Sequence, residues 1–529
     1  MKVKTVLINW HDKLPIFSVD FDHNYTDSRG GWRFATGGGD NNVRIWRLRS
    51  PGEREADPQQ PMVEFLASLN RHTAPVNVVR FSPCSSWLAS AGDDGVVIIW
   101  RQVDGSEDKD GAQGNKRAIA AVSGNLAIGD GDDHFVEPET WRPTALLRGS
   151  LADICDLAWS PDGRFLVSAS VDNTARIWDA SDSRCIQVLV DHSHYVQGVA
   201  WDPLGEFIAT QSSDRSLRVY KWIGPKDPRD IKPGTDVVVL GASHFSMGVP
   251  VAEEPNLAAN DAGADADESK MDVEDAAAAP TTHRSQRLFH DDNLASFFRR
   301  PSISPDGRLL ATAAGVQRGR ASRNTCYVWP RDKLAGPPVL KLAGHQKPVV
   351  ATRWAPCEFE ALPAAAIDGD ALAGWLAPPA GCKESATRMM LAVGSQGAVA
   401  LYDTSMAGRA VGLVGGLHYA AITDLAWTAD GSHLVIASLD GFASIASLDQ
   451  PSAALGLKRC STRIDNAIND ARTGSKHDSV QSEHSPPETL SESKGSETTA
   501  TAAAAAAATA TVTISRGKKR LAPTFVGTI

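Results

Sequence analysis

The chain has 529 residues, 42 % of them hydrophobic and 22 % charged, with a formal net charge of −10. This length accommodates a large core or several average domains, while the acidic balance argues against phosphate-backbone binding and suits basic partners. Seven cysteines are scattered, the closest pair being Cys357 and Cys382, so no C-x-x-C zinc or redox pair exists and reduced thiols are expected. The N-terminal MKVKTVLINW lacks a long apolar stretch and a small-residue cleavage site, and no apolar run approaches the roughly 20 residues that span a bilayer. A soluble intracellular protein without membrane contact is expected.

In chain order, the first segment is KVKTVLIN, Lys2 to Asn9, which alternates as a strand does. A repeating unit follows. It reads as a loop, a strand ending in an aromatic-Ser-Pro type phrase, a strand of L-A-S-x-S type, an Asp turn, and a strand ending in Trp or Tyr. The first copy runs from Ile16 through Phe21 to Trp46, and the second from RHTAPVNVVRFSP to Trp100. The third, DICDLAWSPDGRFLVSASVDNTARIWD, is the clearest and ends its last strand at Trp178. The fourth, YVQGVAWDPLGEFIATQSSDRSLRVY, ends at Tyr220; the fifth starts at RRPSISPDGRLLATAAG and reaches Trp329. The sixth starts at GHQKPVVATRWAP, resumes at MMLAVGSQGAVALY and ends at Tyr402. The seventh, ITDLAWTADGSHLVIASLDGFASIASL, lacks the terminal aromatic and ends near Leu448.

This is the four-stranded blade pattern of WD-repeat proteins, and it predicts an all-β, seven-bladed WD40 β-propeller over residues 1–449. A single blade cannot bury both faces, so the ring must close. The seventh copy has no outer strand after Leu448, and the segment Lys2–Asn9 is predicted to supply it. Three long stretches, 102–140, 224–286 and 357–387, show no convincing periodicity and read as disordered rim insertions. The second carries nine acids against one lysine between Val251 and Ala279, either a solvated spacer or an electrostatic lure for basic protein surfaces. Residues 450–529 are rich in Ser, Thr and Ala and read as a disordered tail.

Polar residues recur at matching places. His72, Ser90 and Asp94 precede Trp100; His192, Ser212 and Asp214 precede Tyr220; Asp172 precedes Trp178, with Ser150 where a histidine would stand. A hydrolase triad should occur once. A device that recurs and degrades from copy to copy is a hydrogen-bond network tying turn to strands. The acidic GDGDDH at Gly129–His134 lacks the glycine and terminal glutamate of a calcium loop, and Gly37–Gly39 open no helix that would cradle a phosphate. No catalytic residue, cofactor or metal site is predicted, and the chain reads as a non-enzymatic binding protein.

Near the end, RGKKRLAPTFVGTI places basic residues before Leu521, Pro523, Phe525 and Val526. Residues 516–526 could be a nuclear-localisation patch, an inconsequential terminus, or a short motif that adds a strand to a partner's sheet.

Four phrases go beyond a generic blade: WHDKLPIFSVDF at Trp10–Phe21, NRHTAPVNVVRFSP at Asn70–Pro83, HSHYVQGVAWDPLGEFIATQSSDRSLRVY at His192–Tyr220, and LFHDDNLASFFRRPSISPDGRLL at Leu288–Leu310. Together they resemble the family of middle, WD-repeat subunits of chromatin assembly factor 1, called FASCIATA-type in plants and algae. The resemblance covers most of residues 1–450 outside the insertions. It implies a nuclear scaffold that joins a large subunit and a small, histone-binding WD-repeat subunit. It also implies support for deposition of histones H3–H4 during replication and repair, with DNA met only indirectly. In that family a basic C-terminal motif binds the anti-silencing-function histone chaperone, and Lys518, Lys519, Arg520, Leu521, Ala522 and Pro523 resemble it. A HIR-type histone chaperone shares this plan, although the FHDD and SFFRR phrases argue against it. A generic adaptor, such as a ubiquitin-ligase substrate receptor, is the blander alternative. Phe289, His290, Asp291, Asp292, Phe297, Phe298, Arg299 and Arg300 interleave charge with aromatic rings. They are a candidate docking site for the large subunit, or packing for an inter-blade connection.

Overall fold

The computed structural model describes residues 1–448 apart from 104–136, 224–236, 244–246, 250–283, 319–321, 361–374, 376–386 and positions 26, 28, 85, 86, 151 and 407. Seven four-stranded antiparallel sheets form the ring. Blade 1 runs Ile16–Phe21, Trp32–Gly38, Val43–Leu48 and Val63–Leu69 from axis to rim, and blade 2 runs Val76–Phe81, Leu88–Gly92, Val96–Gln102 and Trp141–Arg148. Blade 3 comprises Ile154–Trp159, Phe165–Ser170, Ala175–Asp179 and Arg184–Leu189. Blade 4 comprises Val196–Trp201, Phe207–Ser212, Leu217–Trp222 and Val237–Ser243. Blade 5 is Ser302–Ile303, Leu309–Gln317, Arg323–Pro330 and Leu340–His345; blade 6 is Val349–Trp354, Met390–Ser395, Ala398–Asp403 and Ala410–Gly415. Blade 7 takes Ile422–Trp427, His433–Ser438 and Ala443–Ser447 from the end of the ring and Lys2–Val6 from its beginning.

That last pairing is antiparallel, with Lys2 opposite Ser447 and Val6 opposite Ala443. The strand stops at Val6, short of Asn9, because the chain then turns: the Trp10 indole donates to the Val6 carbonyl at 3.0 Å. Each hydrophobic cluster is shared by two successive blades, as stacked sheets require. Leu157, Trp159 and Leu166 of blade 3 pack with Val78, Val97 and Ile99 of blade 2, and Val19 and Phe21 of blade 1 meet Val435 and Ile445 of blade 7.

Two of the stretches read as insertions contribute to the ring. Val237–Ser243 is the outer strand of blade 4, within the predicted insertion 224–286, and Met247–Val249 pairs with Arg284–Gln286. Its sequence, VVVLGAS, is a continuous apolar run and so escapes a search for alternation. Within 357–387, Phe359–Glu360 pairs with Thr387–Arg388, and Trp375 is buried with its indole donating to the Met406 carbonyl. In 102–140, Gln102 ends the third strand of blade 2, and one further bond lies just beyond the strand ends, from the Val103 amide to the Thr140 carbonyl.

Inner strands share a second feature. In blades 1, 2, 3, 4, 6 and 7 the register against the second strand slips after the first residue, leaving Phe17, Asn77, Cys155, Gln197, Val350 and Thr423 as extra residues. Such bulges break the ladder locally and re-aim the backbone. Among the described strands blade 5 has no such bulge on its short inner strand.

Deleting residues 1–6 should open the Ala443–Ser447 edge and destabilise the ring by about 3 kcal/mol or more. Urea unfolding measures this, and an unchanged midpoint would show that closure does not depend on the strand.

Candidate functional site

The recurrent polar residues come together within each blade. His72 lies 2.8 Å from the Asp94 carboxylate and 2.7 Å from Ser90 Oγ, which also accepts from the Trp100 indole at 2.8 Å. In blade 4, His192 spans Asp214 at 2.9 Å and Thr210 at 2.7 Å. Ser212, the expected hydroxyl, instead donates to the His194 carbonyl at 3.0 Å. The reason is register: Thr210 stands two residues into the strand from Ile208, as Ser90 does from Leu88. In blade 3, Ser150 takes the histidine's place at 2.7 Å from Ser170 and 3.3 Å from Asp172, while the Trp178 indole donates to Ser168.

Sequence reading missed two more copies. In blade 1, His11 contacts Asp40 at 2.6 Å and Thr36 at 2.8 Å, and Trp46 donates to Thr36. In blade 7, His418 lies 3.0 Å from Asp440. The interval from His72 to Asp94 recurs between His192 and Asp214 and between His418 and Asp440, so spacing alone would have found the last; blade 1 hides its copy behind a longer loop. Burial alone would raise the Asp94 carboxyl, but the His72 bond holds it below the ordinary range, and burial lowers His11. These buried sets pin turns to strands, and their repetition around the ring sets them apart from a catalytic centre.

The segment outside the repeat is more informative. After Leu288 and Phe289, which pack between blades 4 and 5, the chain crosses towards the axis and enters blade 5. We call Leu288–Arg300 the strap. Phe289, Phe298, Arg299 and Arg300 are buried, so four of the eight candidate docking residues are packing. Phe289 sits edge-on to Tyr327 at 6.0 Å, and Phe298 covers the Arg300 guanidinium at 4.1 Å. His290 is half-buried, 3.0 Å from the Asn324 side chain. Asp291, Asp292 and Phe297 retain exposed surface.

Arg300 ends at the centre of the ring. Its guanidinium donates to the carbonyls of Phe17 and Thr423 at 3.0 Å and of Asn77 at 2.8 Å. Its own amide donates to Val350, and the Arg299 amide donates to Gln197. Five of the six bulge carbonyls are therefore satisfied by two adjacent strap residues. At the sixth bulge, Asp156 follows Cys155 and lies 3.5 Å from Arg300 Nε. Blade 5 needs no bulge because Arg300 takes that place: it bridges in parallel to Ala351, and its carbonyl accepts from the Thr352 amide.

Around Arg300 the axis is ionic. Asp424 accepts from Ser18 at 2.8 Å and from Arg80 at 2.9 Å, and lies 2.9 Å from Arg300 and 3.3 Å from Arg353. Arg80 also reaches Asp156 at 3.1 Å. Burial alone would raise the Asp424 carboxyl, but Arg300, Arg80 and Arg353 hold it well below the carboxylate range; burial pulls Arg300 down to about 10, so it stays charged at neutral pH. Gly198 is the other requirement. A Cβ there would lie 1.9 Å from the Arg299 carbonyl oxygen, so no side chain fits while the strap is seated.

The geometry defines a closed seven-bladed propeller whose axis is plugged by its own non-repeat segment, a ring scaffold. Among the described residues no group of acidic, His and Cys side chains could hold a metal, and no helix is long and apolar enough to cross a membrane. The family description "CAF1B/HIR1 beta-propeller domain" matches residues 1–233 and 259–452. The chromatin assembly factor 1 subunit designated B in Gallus gallus is 36 % identical over 462 residues, covering 87 % of this chain and 69 % of the relative. The protein of the same name in Schizosaccharomyces pombe is 33 % identical over 490 residues, covering 85 % of this chain and 88 % of the relative. Protein HIRA of Oryza sativa is 29 % identical over 458 residues, with 86 % of this chain but 38 % of the relative covered. The chain belongs to the CAF1B family of chromatin assembly factor 1 subunits. The candidate tail residues Lys518 to Pro523 lie outside the described residues.

Replacing Arg300 by Met keeps volume but removes one of the cations around Asp424 and leaves the Phe17, Asn77 and Thr423 carbonyls without their guanidinium donor; it should cost about 3–5 kcal/mol in urea unfolding. Stability equal to wild type would refute the plug. Because the folded Asp424 carboxyl titrates below its unfolded value of about 3.9, its contribution is complete above about pH 5 and is lost as pH falls towards the depressed value. Asp424→Asn should therefore flatten the dependence of unfolding free energy on pH between about 5 and 3, and parallel curves would contradict the assignment.

Proposed function

We propose that this chain is a non-enzymatic scaffold subunit of a nuclear, chromatin assembly factor 1-type histone chaperone. In this reading it holds a large and a small, histone-binding WD-repeat subunit together and supports deposition of H3–H4 on replicated and repaired DNA. Histones and DNA are met through the complex. The observation that supports it is similarity to chromatin assembly factor 1 subunits of the CAF1B family across 87 % of the chain, at 34 % identity for Mus musculus. A scaffold with its axis filled by its own side chains accords with binding at the faces and rim. The exposed part of the strap, Asp291, Asp292 and Phe297, is the proposed contact for the large subunit. The basic motif Lys518–Pro523 is the proposed contact for the anti-silencing-function chaperone.

A HIR-type role is the second reading, favoured by the HIRA similarity and by a family description that spans both groups. Affinity purification of the full chain from nuclear extract with mass spectrometry separates the two. Recovery of the large chromatin assembly factor subunit with histones supports the first reading. Recovery of HIR-complex subunits supports the second, and recovery of cullin-type ligase components contradicts both.

For the tail, Lys519→Ala with Arg520→Ala should weaken binding of the anti-silencing-function chaperone by roughly tenfold or more, with an unchanged unfolding midpoint for the ring. Unchanged affinity in a titration would rule the motif out.

A further inference from the structure

The strap reaches solvent on the face that carries the histidine–aspartate turns, beside the loop that enters blade 4. There Asp292 stands with 58 % of its side chain exposed and lies 3.9 Å from His194 Nε2. Asp291 is half-exposed and pairs with Arg215 at 2.9 Å. The His194 ring lies tilted against Tyr195, centroids 4.3 Å apart, and Tyr195 is 43 % exposed. Phe297 meets Phe298 edge-on at 5.5 Å and keeps its outer surface in solvent.

These groups do not move independently. The Gln197 side-chain amide donates to the Phe297 carbonyl at 3.1 Å, and the Arg299 amide donates to the Gln197 carbonyl. The buried Arg299 guanidinium donates to the His290 and Asp291 carbonyls, anchoring the backbone from which the Asp291 and Asp292 side chains spring. The result is a backbone-anchored pair of carboxylates on a segment that also carries the part-exposed Phe297 and lies beside His194 and the exposed Tyr195. Arg215 partly neutralises Asp291, and Arg299 spends its donors on backbone carbonyls beneath the surface. Asp292 faces the imidazole of His194 and keeps most of its side chain in solvent.

We propose that this patch, formed by Tyr195, His194, Asp291, Asp292 and Phe297, captures a basic peptide segment of a partner protein. A lysine or arginine would sit on the ring faces of Tyr195 and Phe297 while its charge meets Asp292 and Asp291. Cation–π attraction and charge-assisted hydrogen bonds then act on one side chain, and the apolar stem of that residue covers the rings. The preformed backbone lowers the ordering cost of binding. An acidic or wholly apolar segment gains neither interaction. This inference deepens the proposed docking role of the strap, since it gives the chemistry of the partner there.

The test is fluorescence anisotropy with the full-length chain and two short labelled peptides, one of Lys, Arg and Leu and one with Glu at every basic position. The basic peptide should bind and the acidic one should not, with affinity falling as salt rises. Asp291→Asn with Asp292→Asn should weaken the basic peptide roughly tenfold, and Tyr195→Ala should weaken it severalfold. Acidic residues elsewhere are common to wild type and variants, so the difference reports the patch. Asp292→Lys, at an exposed position, provides a second variant that should retain the wild-type unfolding midpoint and lose binding. Equal affinity of wild type and variants, or binding of the acidic peptide, overturns the proposal. Co-purification of the large subunit with Asp292→Lys is scored separately. If it persists while peptide binding is lost, the patch stands and the docking role falls; if wild type ignores the basic peptide, the patch itself falls.

Discussion

A ring of antiparallel sheets has an unpaired-backbone problem at its axis, and here it falls on one side chain. Six inner strands bulge at the same step and turn carbonyl groups away from their ladders. A buried carbonyl without a donor is costly. A guanidinium can donate to several acceptors at once from a planar fork, which an ammonium or amide cannot do with the same geometry. Arg300 supplies that fork, and the backbone amides of Arg299 and Arg300 supply two further donors. Its charge then demands compensation, which Asp424 and Asp156 provide, and their charge draws in Arg80 and Arg353.

The consequence is coupling among elements far apart in sequence. Arg300 contacts blades 1, 2, 6 and 7 from a segment that leads into blade 5, and Arg299 contacts blade 4. Neighbouring blades already share apolar clusters, but those join only adjacent sheets. The strap adds links across the ring. It also holds its own outer surface in place, so the same residues that close the axis present Asp291, Asp292 and Phe297 to solvent. Rigidity at the centre and a shaped surface on one face are two results of one placement.

Much of the ring was readable from sequence because each blade repeats one pattern with its own turn residues, and the missing outer strand of blade 7 pointed to the beginning of the chain. The blade 4 outer strand was not readable, since Val237–Ser243 lacks alternation and its partner strand gives no register signal. The His72 and His192 networks were legible as recurring residues, but the choice of Thr210 over Ser212 depends on pairing register, which sequence does not display. The strap stood out as foreign to the blade pattern. Its role did not, because FHDDNLASFFRR reads equally as a surface motif and as packing: bulge carbonyls from five other blades are invisible in the sequence. Gly198 is a similar case, an ordinary glycine in a strand until the Arg299 carbonyl is seen above it.

Amide hydrogen exchange in Arg300→Met tests the central claim most directly. If one guanidinium ties the ring together at its axis, inner-strand amides of blades 1, 2 and 7 should lose protection along with those of blade 5, although none of the three adjoins blade 5. Loss confined to blade 5 and its immediate neighbours would show that the arginine only packs locally.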